Sequence, residues 1–361
     1  MPFRAASALP ALVLALALAP VLAPALAPDL IRPACARTLQ AEHPSTLPLP
    51  SEASPELRKL LAVNPLYGFW KQEPPADAKA WKALAADLAV KTAPHVEALA
   101  GKLGVEVREA SLGGARVFEL APKDVDPALE GRVLLHLHGG GFVFNPGLAG
   151  AGEGVMMAAA GRVRVVSVDY RMPPEHPFPA ALDDALAVYR ALLKDHPASR
   201  IGVFGASSGG GLALSLCLKI KAEGLPLPGA LAPCSPWSDM DQRGDSYFLN
   251  QGRDNVLVSW DPWLKASALL YAQGRSLDHP LLSPVYGDVA GFPPVLILSG
   301  TRDLFLSNAC RMHLKLRACG VPAELVVFEG MSHVLYLYND AMPEAKTAFA
   351  ELADFFRRTL R

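Results

Sequence analysis

The chain has 361 residues, 51% of them hydrophobic, and its 34 basic and 35 acidic side chains leave a net charge of −1. That composition supports a substantial core, in one large α/β domain or two smaller ones, and excludes an intrinsically disordered chain. It also lacks the charge excess that nucleic acid or an anionic membrane would draw, so small, roughly neutral molecules are the expected partners.

The first residues, MPFRAASALPALVLALALAPVLAPALAPDLIRPACARTLQ, carry one positive charge at Arg4 and then run through alanine, leucine and valine. This layout predicts a signal peptide over residues 1–36, and with it a secreted or periplasmic protein with no stable membrane association after cleavage. Ala25-Leu26-Ala27 and Ala34-Cys35-Ala36 both offer small-x-small cleavage sites, giving a cut near 27 or 36; Pro28 compromises the first, and Arg37 makes the second cleaner. The alternative, an uncleaved anchor, is opposed by Pro10, Pro20 and Pro24. Arg32 stands where a lipoprotein signal before Cys35 would need an apolar residue.

Residues 37–60 are polar and proline-bearing and read as a flexible lead-in. From Pro75 to Leu103 the pattern turns helical, with Trp81, Leu84, Leu88, Val90, Val96 and Leu99 as its apolar stripe. Residues 37–104 are thus assigned to a lead-in and amino-terminal helices, and 105–361 to a unit of their own that opens on strands. VEVREA and ARVFEL alternate around the turn residues LGG and predict a β-hairpin. RVLLHLH (132–138) and RVRVVSVDY (162–170) follow as nearly continuous apolar strands, and strand and helix patterns then alternate to the carboxyl end. Strands of that kind are buried on both faces, which implies an α/β fold with a mostly parallel central sheet flanked by helices. From 238 to 274 the alternation lapses into a polar and aromatic excursion off the sheet. Cys310 and Cys319 lie nine apart in one predicted helix, on nearly opposite faces, and cannot bridge. A Cys217 to Cys234 disulfide is conceivable, with buried free thiols the preferred reading.

Within this frame three loops carry chemistry. The strand RIGVF runs into Gly205-Ala206-Ser207-Ser208-Gly209 and a helix follows at once, the layout of a nucleophile elbow with Ser207 in register. A frame shifted by one would put Ser208 forward, but Ala206 then occupies the position of the first glycine. A serine hydroxyl needs a base and the base an orienting acid. Asp303 follows strand PVLILSG and His333 follows strand AELVVFEG, at the sheet edge where Ser207 also lies. His138-Gly139-Gly140-Gly141, after RVLLHLH, offers backbone amides that no side chain shields, those of Gly140 and Gly141 foremost, and Ser208 N–H adds another at a helix start. A phosphate-binding loop is excluded because no Gly-x-x-x-x-Gly-Lys spacing follows.

Taken together, HGGGF, DYRMPPEHPFPAALDDA, GASSGG, SGTRDLFLS and GMSH resemble the bacterial branch of the hormone-sensitive-lipase family of α/β-hydrolases, over residues 110–361. The resemblance implies a serine carboxylesterase acting on short- to medium-chain acyl esters, with Ser207, Asp303 and His333 as triad and His138 to Gly141 as oxyanion loop. It also implies a cap built from the amino-terminal helices and the 238–274 excursion. Departures occur at Ala206 and Ser208, and YRMPPE replaces the more usual YRLAPE. A lactone is the same electrophile with a tethered leaving group. An amidase and a non-catalytic ligand-binding homologue are the other readings, and the presence of His333 argues against the last.

The remaining polar residues have quieter readings. Asp169, Arg171, Glu175 and His176 suggest an internal ion-pair network. His136 reads as a hydrogen-bonded core residue, His313 as a helix residue without a role. Trp237, Phe248, Trp260 and Trp263 could line an acyl pocket or simply pack the cap. No metal-ligand spacing and no cofactor fingerprint is present, so no metal and no cofactor is expected.

Overall fold

The structure, a computed structural model, describes residues 48–63 and 67–361. The predicted signal peptide, both cleavage sites and Cys35 lie outside the described residues. Eight strands form one sheet: β1 (Val105–Leu112), β2 (Ala115–Pro122), β3 (Val133–Leu137), β4 (Arg164–Asp169), β5 (Ile201–Ala206), β6 (Ala230–Cys234), β7 (Val295–Gly300) and β8 (Ala323–Phe328). Their spatial order is β1-β2-β4-β3-β5-β6-β7-β8. The first two form the predicted hairpin, β2 pairs antiparallel with β4, and every other neighbouring pair is parallel. All residues of β3, β5, β6 and β7 are buried, as strands covered on both faces by helices must be.

The helices are α1 (Pro55–Leu61), α2 (Tyr67–Trp70), α3 (Ala78–Leu103), α4 (Gly152–Gly161), α5 (Ala180–Leu192), α6 (Ser208–Ala222), α7 (Ser246–Leu249), α8 (Lys265–Ala272), α9 (Leu306–Ala318) and α10 (Pro343–Thr359). The chain leaves β3 toward β4 on one side, and β5 lies on the other. The strand order therefore reverses at β3, and a crevice opens beyond the carboxyl ends of β3 and β5. This position, set by topology alone, is where the HGGG run and Ser207 emerge.

Three expectations need correction. The flexible lead-in is structured from residue 55 onward: Ser54 accepts the Leu57 N–H as an N-cap, Pro55 occupies the first helical turn, and Leu57 and Leu61 are buried. Ser54 also gives its N–H and hydroxyl to the Glu344 carboxylate on α10, at 2.8 and 2.7 Å. Val90 leaves the predicted stripe of α3, being 74% exposed, whereas Trp81, Leu88, Val96 and Ala100 are buried. The reason is angular, since two residues beyond Leu88 is a turn of about 200° around the helix. Cys217 and Cys234 are both buried free thiols, the preferred of the two readings. The third correction, concerning the Asp169 region, is described with the site.

Candidate active site

The elbow is shaped by contacts that admit no side chain. A Cβ placed on Gly205 or Gly209 would come within 2.0 or 1.9 Å of the Leu137 carbonyl oxygen of β3, so the elbow can pass over that strand only as Gly-x-Ser-x-Gly. Between them Ser207 holds φ 60° and ψ −124°, a left-handed conformation that is strained for any residue but glycine. Such strain persists where the surroundings over-determine it. Ser207 N–H donates to the Cys234 carbonyl at 2.9 Å, and the Ser207 carbonyl accepts from Gly211 and Trp237 N–H. The preceding Ala206 N–H donates to a Glu153 carboxylate oxygen at 3.0 Å.

The loops after β7 and β8 bring the predicted acid and base together. His333 Nδ1 and Asp303 Oδ1 are 2.9 Å apart, and both residues are buried. Asp303 also accepts from the Ser299 hydroxyl and the Phe305 N–H, each at 2.8 Å. Burial acts to raise the Asp303 pKa, but the His333 charge and the hydrogen bonds from His333, Ser235 and Phe305 outweigh it and hold it below the usual carboxylate range. His333 Nε2 is buried with no hydrogen-bond partner, so no bond joins it to Ser207 Oγ in this resting state. Both residues nonetheless line one cavity of about 250 Å³. Resting active sites often hold such contacts long until substrate arrives.

Gly139, Gly140 and Gly141 line the same cavity. The Gly139 carbonyl accepts from His138 Nδ1 at 2.8 Å and Asn145 Nδ2 at 3.1 Å. The Gly140 carbonyl accepts from Val143 and Phe144 N–H at 3.1 and 2.9 Å. Because each peptide is planar and trans, tying down those two carbonyls turns the Gly140 and Gly141 N–H groups the opposite way. Gly140 and Gly141 have φ of 122° and 62°. A Cβ on Gly139 would lie 3.0 Å from the Ala206 oxygen, so the loop runs tight against the elbow. Ser208 opens α6 directly after the elbow. His138 stacks on Tyr170 at 4.0 Å, and burial lowers its pKa to about 4, keeping the ring neutral with Nδ1–H free to serve Gly139.

The Asp169 region does not form the predicted internal network. Asp169 pairs with Arg116 and accepts the Gly147 N–H, Arg171 pairs with Asp184, and Glu175 pairs with Lys82 near the surface. Asp169, Arg171 and Glu175 are each satisfied by a different element and His176 is exposed, so the four share no common interior. Of the four aromatics, Trp263 alone lines the cavity; Trp237 and Trp260 pack in the core and Phe248 is exposed. His136 is the core residue expected, flanked by Ser167 Oγ at 2.8 Å and Glu153 at 3.1 Å.

Three residues at the site were not singled out from sequence: Asn145, Glu153 and Asp254. Glu153 had a readable signal, a single carboxylate within the apolar helical run AGEGVMMAAA. Asp254 lies in the polar excursion, completely buried, and accepts N–H groups next to Asp303 and at His333.

Residues 134–337 match a family model described by its α/β-hydrolase fold. An acetyl-hydrolase of Streptomyces hygroscopicus is 35% identical over 231 residues, which cover 64% of this chain and 76% of that protein. An esterase of Acinetobacter venetianus is 30% identical over 70% of this chain and 82% of its own length. The solved structure of an esterase superposes with a TM-score of 0.85 at 41% identity, covering 89% of this chain and 98% of that one. A second, an esterase from the bacterial hormone-sensitive lipase family, superposes at 0.73 with 29% identity over 85% of this chain and 99% of its own.

Proposed function

Since the chain belongs to the α/β-hydrolase family and is an esterase of its bacterial hormone-sensitive-lipase branch, we propose that Ser207, His333 and Asp303 form its catalytic triad and that its substrates are short- to medium-chain acyl esters. The observation that carries this reading is the pairing of a strained Ser207 with an unpartnered His333 Nε2 on one cavity. An imidazole held by Asp303 at Nδ1 has only Nε2 left to take a proton, and the cavity is the direction from which the proton arrives.

In this mechanism Ser207 Oγ attacks the ester carbonyl while its proton passes to His333 Nε2. The tetrahedral oxyanion is met by the N–H groups of Gly140, Gly141 and Ser208, with the dipole of α6 adding to the attraction. Collapse transfers the His333 proton to the leaving alkoxide, and water attacks the acyl-enzyme by the same relay. A lactone carbonyl enters the same steps. Phe144, Met156 and Trp263 make the cavity walls apolar, suited to an acyl chain. Its 250 Å³ falls just under the ~300–1,000 Å³ typical of drug-sized ligands, which favours small acyl groups. Export to the periplasm or medium belongs to the same proposal and rests on the amino-terminal sequence; amino-terminal sequencing of mature protein tests it, with an intact Met1 counting against it.

The direct test uses p-nitrophenyl esters from acetate to palmitate with wild type and Ser207→Ala. The triad reading expects turnover to fall by roughly 10⁴–10⁶ in the variant. Undiminished turnover would reject Ser207 as nucleophile, and a preference for palmitate would reject the chain-length assignment.

A further inference from the structure

Asp254 sits in the excursion between β6 and β7 and has no exposed surface. Its two carboxylate oxygens serve different structures. Oδ1 accepts the N–H groups of Val256 at 2.9 Å and Leu257 at 3.1 Å, two residues that line the cavity. Oδ2 accepts the N–H of Leu304, the residue after Asp303, at 2.8 Å, and that of His333 at 3.3 Å. The same turn is tied on either side. Asn250 Nδ2 donates to the Asp303 carbonyl at 2.8 Å, and Asn255 Nδ2 donates to the Leu60 and Val63 carbonyls at 2.9 and 3.1 Å.

Building on the triad reading above, we propose that Asp254 is a positioning residue: one carboxylate that holds the acid loop and the base loop in register and fastens both to the cavity wall at Val256 and Leu257. A buried ionised group is expensive, and this one has a second carboxylate, Asp303, nearby. A neutral side chain that merely filled the space would avoid that cost. What it would lose is a pair of oxygens able to accept from two directions at once, because an amide of the same shape has a single acceptor. Four backbone amides from three separate segments converge on Asp254, and each would otherwise be a buried donor without a partner. The wall against which an acyl group packs is thereby in rigid register with the imidazole that serves it.

Asp254→Asn separates the two ends of this bridge at nearly constant volume. With p-nitrophenyl acetate, kcat is expected to fall about 10²-fold with KM within threefold of wild type, the signature of a misplaced base rather than a damaged pocket. Phosphonylation of Ser207 by an uncharged p-nitrophenyl alkylphosphonate should slow in parallel. A folded variant whose kcat lies within threefold of wild type overturns the proposal. A second measurement on wild type alone covers the case in which the variant does not fold: hydrogen exchange at Val256, Leu257, Leu304 and His333 should proceed at rates within threefold of one another, as one opening unit. Rates more than tenfold apart would show that wall and loops open separately, and overturn it as well. Activity that survives Ser207→Ala sinks the triad itself, whereas activity lost there but kept in Asp254→Asn sinks the positioning role alone.

Discussion

Two clusters in this molecule each place a histidine between a carboxylate and the neighbourhood of a serine. In one, His136 on β3 has Nδ1 2.8 Å from Ser167 Oγ and Nε2 3.1 Å from Glu153, with all three residues buried. In the other, His333 has only Nδ1 engaged, by Asp303, and Nε2 stands unpartnered on the cavity that Ser207 also lines. By distance alone the first is the more complete triad. Yet Ser167 lies in regular strand, paired in register with Phe118 on one side and His136 on the other, and no part of it reaches the cavity. On the triad proposed above, residue types at bonding distance therefore do not by themselves make a reactive centre. What distinguishes Ser207 is a backbone bent out of the strand, and what distinguishes His333 is a nitrogen left vacant. The first cluster supports the second, since the Glu153 oxygen that meets His136 also holds the Ala206 N–H beneath the elbow.

The sharpest way to break this contrast is to disable each histidine in turn. His333→Ala should lower kcat roughly 10⁴-fold or more with the fold intact. His136→Gln should leave kcat within tenfold while destabilising the protein by about 1–3 kcal/mol, as buried partners lose their hydrogen bonds. Steady-state kinetics and thermal melts on both variants check the pair, and a reversal of the two outcomes would reassign the centre. A smaller effect is expected at the oxyanion loop. Gly140→Ala asks for a side chain at φ 122° with its Cβ 2.6 Å from the Phe144 oxygen, and it should cost ~10²–10³ in kcat. Affinity for a trifluoromethyl ketone, which mimics the tetrahedral species, should fall by the same factor.

The smallest effect concerns the second carboxylate beside the proposed Asp303–His333 pair. Burial first, and the Asp303 charge next, push Asp254 up to about 6, against about 3.9 for an unfolded aspartate. A raised pKa means the folded state binds the proton more tightly. The contribution of Asp254 to stability is thus full below about pH 4 and is lost as pH rises through about 6. Asp303, with its lowered pKa, runs the other way, contributing above the unfolded value and losing that contribution as pH falls. Replacing Asp254 by Asn removes the first slope only, so the Tm difference, variant minus wild type, should shift upward by a few degrees between pH 4.5 and 7.5. A constant difference would show that the carboxyl does not titrate in that range.

The parts of the molecule that sequence made legible share one property: their pattern is local. β3, β5 and β7 are continuous apolar runs ending in glycine, serine or acidic loops, and the chain alternates them with helices, so the sheet edge and the loops of 138–141, 207, 303 and 333 could be placed together. The glycines at 205 and 209 follow from the elbow's own geometry. Asp254 had no such pattern. Its meaning depends on Leu304 and His333, 50 and 79 positions away, and nothing within its own segment distinguishes it from the other polar residues there. Asn145 is similar, since an asparagine at φ 69° reads as turn punctuation until the Gly139 carbonyl is seen against its amide. At α1 the signal was present and local, a serine followed by proline and a leucine pair, but a polar composition outweighed it.

The bond between Ser54 and Glu344 joins positions 290 apart. Arg302 similarly reaches back to the Pro48 carbonyl, and Lys102 to Asp340. During synthesis the earliest described segment consequently gains its polar partners only as Asn255, Arg302 and Glu344 emerge in turn, and contacts of such separation are the slowest to close. The cavity wall that Phe69 and Trp70 of α2 supply is fastened by a bond of the same kind, from the Trp70 indole N–H to the Val256 carbonyl, so a nascent chain has no finished pocket until residue 256 has followed the elbow out of the ribosome.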